Sequence, residues 1–260
     1  MIKRVITLLL GGALVALVGC GATTPTATAH NGSPTANVSA PASKPSAAPS
    51  PAVKSKKKPP YNKYQCGNVG SKVFLTFDDT ARNKSEFKKL VDEAARLNVG
   101  IGIVPNGNAV KAGRVSVSYA RSKGMPVIEH TYDHPLLTKL SYKQIVKQIT
   151  HPYINSNYVR PPYGAHNATV RKVLKDKGKY NCLWNLDPKD WAEGSTPEKA
   201  ADYIIKNARK GSTVVVHLQH LGKDAKQLSR IKKGLAKRGI KLCAPMKAPT
   251  PKKLPSVLCS

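Results

Sequence analysis

The sequence predicts an α/β fold, a distorted and incomplete barrel of the (β/α)7 type. Three observations carry that expectation. Short β-branched runs recur at 72–77, 99–104, 126–129, 157–159, 180–186, 212–217 and 240–243. Helix-like segments separate most of them, among them 85–97, 110–123, 168–177, 197–210 and 224–238, and such alternation specifies a parallel sheet, open or closed. No glycine-rich phosphate-binding turn follows the first run, which disfavours a doubly wound sheet, and seven units fall one short of a full barrel. Asn167 and Ser195 have the side chains of helix N-caps, and Gly178, Gly211 and Gly239 stand where helices should stop.

The chain before the barrel reads differently. Met1-Ile2-Lys3-Arg4 is a short basic start, followed by an apolar stretch to Val18 and then Gly19-Cys20. Residues 1–19 read as a lipoprotein signal peptide, with the Cys20 thiol as the lipidation site. The stretch is too short for a confident membrane span. Residues 20–60 are dominated by Ala, Ser, Thr, Pro and Lys, with no aromatic residue and no acid. Such a composition cannot bury enough apolar surface to offset its ordering entropy, so a disordered spacer is expected. One domain is expected over 61–260, exported and held at the outer or periplasmic face of a membrane by its lipid.

Charge and cysteine content fit that location. The chain has 43 Lys+Arg against 14 Asp+Glu. Seven of the bases and none of the acids lie in residues 1–60, leaving 36 bases against 14 acids, a net +22, in 61–260. A surface of that sign attracts polyanions, and for an exported protein these are anionic wall polymers or lipid head groups. No basic helix interleaved with stacking aromatics is present, so nucleic acid is not the expected partner. Cys66, Cys182, Cys243 and Cys259 have no Cys-x-x-Cys spacing; two disulfides are possible, in any of three pairings.

Polar clusters follow the predicted strands. Val73-Phe74-Leu75-Thr76-Phe77 ends in Asp78-Asp79, and unpaired carboxylates at a core edge are costly unless used for a metal or a proton. His130-Thr131-Tyr132-Asp133-His134 follows the third run, Arg160-Pro161-Pro162-Tyr163-Gly164 the fourth and Asp187-Pro188-Lys189-Asp190-Trp191 the fifth. His217 ends the sixth. In an α/β barrel the C-terminal strand ends converge on one face, where active sites are built. His130 and His134 are four apart, which on a helix-like turn would put both rings on one side, and Pro135 disfavours continuing that helix. Two imidazoles and a carboxylate can bind a divalent metal and leave positions open.

This ordered set resembles the polysaccharide deacetylases of the NodB-homology type, carbohydrate esterase family 4. That family has Thr-Phe-Asp-Asp, His-Ser/Thr-x-x-x-His, Arg-Pro-Pro-Tyr-Gly, Asp-x-x-Asp-Trp and Leu-x-His. The motifs here are Thr76–Asp79, His130–His134, Arg160–Gly164, Asp187–Trp191 and Val215–His217, and four of the five match outright. The resemblance, over 70–245, implies an incomplete barrel with one divalent metal, zinc foremost with cobalt or another ion also accommodated. It implies Asp79, His130 and His134 as metal ligands and Asp78 as general base, oriented by Arg160. It implies His217 as general acid with Asp190 beside it, and Asp187 in reserve. Tyr163, through its backbone N–H, Pro162, Trp191 and Val215 would hold the acetyl group.

The resemblance has departures. Thr80 stands where the family usually has Gly, and Ile101-Gly102-Ile103-Val104 replaces the usual aromatic pair. Val215 replaces Leu, Leu218 replaces the Asp that commonly follows the histidine, and the usual Gly-Asn before the first histidine is missing. None removes a reacting group, but each bears on substrate preference. The expected activity is metal-dependent hydrolysis of acetyl groups from N-acetylated cell-wall glycan, peptidoglycan first, by a monomer. Chitin oligomers and acetylxylan are the alternative substrates, and a non-catalytic, basic wall-binding module is the alternative class. His30, His151, His166 and His220 are assigned no role.

Overall fold

A central strand, β1 (Phe74–Asp79), pairs in parallel with β2 (Ile101–Pro105) on one side and β5 (Thr213–His217) on the other. The computed structural model describes residues 66–259. The leader, Cys20 and the linker expected in residues 1–60 lie outside the described residues. No helix among the described residues is long and apolar enough to cross a membrane.

Two further short strands, β3 (Tyr158–Val159) and β4 (Tyr180–Asn181), form a second parallel pair. Single parallel bridges join the two sheets at both edges. Ile103 bridges Val127, Glu129 bridges Val159, and Leu186 bridges Val214. The run at 126–129 is therefore a strand reduced to bridges, and β4 is continued by the bridge at Leu186. The ring so closed is a distorted α/β barrel, as the alternation of the sequence predicts. The seventh run does not join as a full strand. Leu242 bridges Val73, and Gly100 N–H donates to the Cys243 carbonyl, so this run meets β1 and the start of β2 at their N-terminal ends.

Alternation along β1 divides the core. Leu75 and Phe77 pack outward with Phe87, Leu90 and Val91 of α1 (Lys84–Arg96), Ile204 of α6 (Pro197–Asn207) and Ile231 and Leu235 of α7 (Lys226–Ala236). Phe74 packs in a second cluster with Val104, Ile128 and Tyr158. Gly102 makes room for it: a Cβ there would stand 2.8 Å from Phe74 Cζ and 2.9 Å from Thr76 Cγ2. Thus Phe74, Thr76 and Asp78 form one column that rises toward the C-terminal rim.

Local signals set the helix ends, with two differences from expectation. The single helix predicted over 110–123 is two, α2 (Gly107–Lys111) and α3 (Val117–Ser122), because Gly113 turns at φ 71° and Ser116 caps a new start through Tyr119 N–H. Thr196, not Ser195, caps α6, accepting from Lys199 N–H; Pro197 at the first helical position sets that boundary. α5 (Ala168–Asp176) begins at Asn167 as predicted, accepting from Val170 N–H. A helix not anticipated, α4 (Tyr142–Ile149), starts in a Ser141–Gln144 capping box.

Candidate active site

The C-terminal end of β1 delivers both acids to one place, though not in strand geometry. Asp78 lies 2% exposed at the head of the inner column. Asp79 adopts φ 69°, which turns its carboxylate from the face it would take in a regular strand. Both carboxylates consequently face His130 Nε2, at 3.7 Å from Asp78 Oδ2 and 3.4 Å from Asp79 Oδ1.

His130 and His134 do not lie on a helix-like turn. Thr131 at φ 66° and His134 at φ 60° fold the segment into an irregular loop, and His134 N–H donates to Thr131 Oγ1. The loop is held from outside: Gly107 N–H donates to the Thr131 carbonyl, and the Gln148 side-chain oxygen accepts from Tyr132 and Asp133 N–H. The His130 Nδ1 sits 2.7 Å from the Arg160 carbonyl, so Nδ1 carries the proton and Nε2 presents its lone pair to the site.

Asp79, His130 and His134 each present one ligand atom, all within 4.8 Å of one another. The fit to a divalent cation rests on more than spacing. Asp79 Oδ1 is buried without a hydrogen-bond partner, 3.3 Å from His134 Nε2, and its outer oxygen accepts from Gln219 Nε2 at 3.2 Å. Burial alone would raise the Asp79 carboxyl, but the imidazoles of His130, His134 and His217 outweigh it and hold the group far below the usual carboxylate range. Burial would depress His130, yet the charges of Asp78 and Asp79 raise it, so this point of the site attracts positive charge. His134 is lowered, by burial first and by His130 second, which favours its neutral, ligating form.

Arg160 is wholly buried, and its partners explain how an isolated guanidinium survives there. Nη1 donates to Asp78 Oδ1 at 2.5 Å and to Thr76 Oγ1 at 2.8 Å, and Nε donates to the Cys182 carbonyl at 2.9 Å. Its plane lies 5.4 Å from the Trp184 ring. One carboxylate of the Asp78–Asp79 pair is thus tied to an arginine and the other faces two imidazoles.

Across the cleft, His217 ends β5 with Nδ1 2.7 Å from Asp190 Oδ1. Asp190 Oδ2 also accepts from His217 N–H and Leu221 N–H, so the carboxylate is locked. Burial would lower His217, but the hydrogen bond and charge of Asp190, with the charges of Asp78 and Asp79, raise it. Asp187 does not share this pairing. Its Oδ1 accepts from Lys189 N–H, shaping the turn that presents Asp190.

These groups surround one cavity of about 440 Å³. Tyr163, Trp191 and Val215 line it, with Asp187 at its edge. Tyr163, at φ 60°, stands 67% exposed with its ring 4.9 Å from that of His134. Pro162 is buried in the same short 3-10 turn and does not line the cavity. Three lining residues escaped the sequence reading. Trp184 packs under Gly164, where φ is 65° and a Cβ would stand 3.0 Å from the ring, so a side chain there would be strained and crowded. Gln219 and His220 follow His217 directly, and their nearness to it was the available signal. His151 is not idle, since its Nε2 lies 2.9 Å from the fully buried Glu129. His166 Nδ1 lies 3.0 Å from the Gly164 carbonyl.

Comparisons with known proteins agree with this geometry. The profile of the family described as polysaccharide deacetylase matches residues 67–181. The peptidoglycan-N-acetylmuramic acid deacetylase PdaC of Bacillus subtilis is 31% identical over 153 residues, covering 56% of this chain and 32% of the relative. Chitin deacetylase 1 of Saccharomyces cerevisiae is 32% identical over 143 residues, covering 50% of this chain and 45% of the relative. The chain therefore spans about a third to a half of the length of these relatives. The solved structure of PdaC superposes with a TM-score of 0.56 at 27% identity, over 66% of this chain and 87% of that one. Barrel, rim and relatives converge: residues 67–181 match the polysaccharide deacetylase family, and the described domain is similar in fold and site to deacetylases of the NodB-homology type, carbohydrate esterase family 4.

Proposed function

We propose that this domain hydrolyses acetyl groups from N-acetylated cell-wall glycan, with peptidoglycan as substrate. The observation that carries the reading is the division of labour around one cavity: Asp78 tied to Arg160, Asp79 facing two imidazoles, and His217 tied to Asp190. Similarity to a peptidoglycan deacetylase supports the choice of polymer.

A divalent metal, zinc foremost, held by Asp79, His130 and His134, would polarise the acetamide carbonyl and the attacking water. The protein's own groups supply the proton transfers. Asp78 takes a proton from the water as the water oxygen attacks the carbonyl carbon, and the Arg160 hydrogen bond aims the Asp78 carboxylate. Charge developing on the carbonyl oxygen is met by the Tyr163 backbone N–H. His217 gives its proton to the amine nitrogen as the C–N bond breaks, and Asp190 holds that imidazole protonated until then. Val215 and Trp191 wall the acetyl methyl, with Pro162 backing the turn. A cavity of about 440 Å³ has room for an acetamido group and the sugar that carries it, so the rest of a polymer would lie across the rim.

Residues 1–19 serve in this reading as a lipoprotein signal and Cys20 as the anchor, with residues 21–60 as the tether that lets a monomeric domain reach the wall. Cys20→Ala should release the protein into the medium, and labelled palmitate should enter only the wild type.

Acetate release tests the central claim. The metal-loaded protein should release acetate from peptidoglycan, and Asp78→Asn should lower the rate by about 10²- to 10⁴-fold. Chitin oligomer and acetylxylan belong in the same assay, the first because of the yeast relative. Equally little release by wild type and Asp78→Asn on all three, with both still binding wall polymer, would sink the enzyme reading and leave a wall-binding module.

A further inference from the structure

We propose that the groove between the end of α5 and the start of β4 is a second, non-catalytic saccharide-binding site that selects glycan bearing carboxylates. The groove has a volume of about 820 Å³ and is lined by Arg171, Lys172, Lys175, Lys179, Tyr180 and Asn181, among others. It shares no lining residue with the catalytic cavity.

Three features point to such a ligand. The first is charge. Arg171 and Lys175 are exposed and make no ion pair among the described residues, whereas Lys172 is bound to Asp176, the one acid of the groove. The second is a stacking platform. Tyr180 stands 58% exposed, with its ring 5.4 Å from that of Tyr158. An aromatic plane held open beside polar groups suits the apolar face of a sugar ring. The third is an unmet demand. Asn181 is 7% exposed, and both its side-chain nitrogen and oxygen are buried without a hydrogen-bond partner. A buried amide left unpaired is unfavourable, and a hydroxyl-rich ligand in the groove offers a donor and an acceptor that these atoms reach once the Asn181 side chain turns toward it.

Together these groups ask for a saccharide with hydroxyls and negative charge. Its identity as wall glycan, whose muramic acid units carry a free lactyl carboxylate where no stem peptide is attached and peptide carboxylates where one is, rests on the function proposed above. The groove lies at the N-terminal end of β4, away from the C-terminal rim, so only a polymer long enough to run along the side of the barrel engages both and gains in effective concentration, while a short oligomer gains nothing.

Amide-resolved NMR of the full chain tests the groove apart from catalysis. The disaccharide N-acetylglucosaminyl-N-acetylmuramic acid should shift the signals of Arg171–Asn181, and neutral di-N-acetylchitobiose should do so with about tenfold lower affinity. The double variant Arg171→Glu/Lys175→Glu should weaken the acidic disaccharide there by about fivefold to tenfold. It should raise KM for polymeric peptidoglycan, with kcat unchanged and release from short neutral oligomers untouched. Tyr180→Ala, at an exposed position, gives an independent variant with the same expected direction. Shifts confined to the catalytic rim, equal affinity for the two disaccharides, or undiminished binding by the double variant would each overturn the groove. Absent acetate release with intact groove shifts would instead overturn the deacetylase reading alone.

Discussion

Asp78 and Asp79 are neighbours on β1, and in an undistorted strand their side chains would stand on opposite faces. A positive φ at Asp79 brings both to His130, and the two acids then differ only in their company. The same logic separates Asp187 from Asp190: one shapes a turn, the other grips His217 through two hydrogen bonds and is fixed by a third from Leu221 N–H. That grip has a pH consequence. His217 is raised because Asp190 outweighs burial, and a general acid works only while protonated. Activity should therefore fall on the alkaline side as pH rises through the His217 pKa. Asp190→Asn removes the strongest raising partner and leaves burial opposed only by the charges of Asp78 and Asp79, so the alkaline limb of the kcat/KM profile should move to lower pH, with a loss of rate at neutral pH. An unmoved limb would mean that another group sets it.

At the scale of elements, the inner column of β1 links packing to chemistry. Phe74 needs the space beside Gly102, Thr76 bonds Arg160, and Arg160 bonds Asp78. Gly102→Ala should push on Phe74 and Thr76 and cost about 1–3 kcal/mol in urea unfolding, with a drop in kcat larger than the change in KM. The strand pattern also explains where the elements were legible. β1, β2 and β5 were found because continuous apolar runs identify buried parallel strands. The run at 126–129 and most of 180–186 make single bridges only, a pairing that depends on neighbours distant in sequence. The break at Gly113 between α2 and α3 was read through, since an isolated glycine in a helical pattern is ordinarily tolerated.

At the scale of the molecule, two crosslinks hold distant parts of the chain together, and the proposed cation site would add a third tie. Cys66 pairs with Cys182 and Cys243 with Cys259, over separations of 116 and 16 residues. By the loop-closure account these restrict the unfolded chain by about 5 and about 3 kcal/mol. Cys66→Ser/Cys182→Ser should thus lower the urea midpoint more than Cys243→Ser/Cys259→Ser; the reverse order would show native-state effects to dominate. The cation site gathers ligands from β1 and from the loop before α4. Chelation should lower the melting temperature, and zinc at a thousandfold its Kd should restore about 4 kcal/mol. A melting point indifferent to chelator and zinc would remove the metal from the proposed mechanism.

By itself the sequence determined the alternating α/β pattern, the rim position of its acids and histidines, and the family resemblance, because these follow from local periodicity and from residue type at fixed spacing. Tertiary structure alone decided which cysteines pair, that Asp190 and not Asp187 meets His217, and that Asp79 turns to share a cavity with Asp78. It also decided that Trp184, Gln219 and His220 line that cavity, and that Asn181 lies unpaired beneath a basic groove. The physical reason is common to all of these. Each depends on side chains brought together by chain closure over long sequence distances, or on a backbone torsion that residue type permits without requiring.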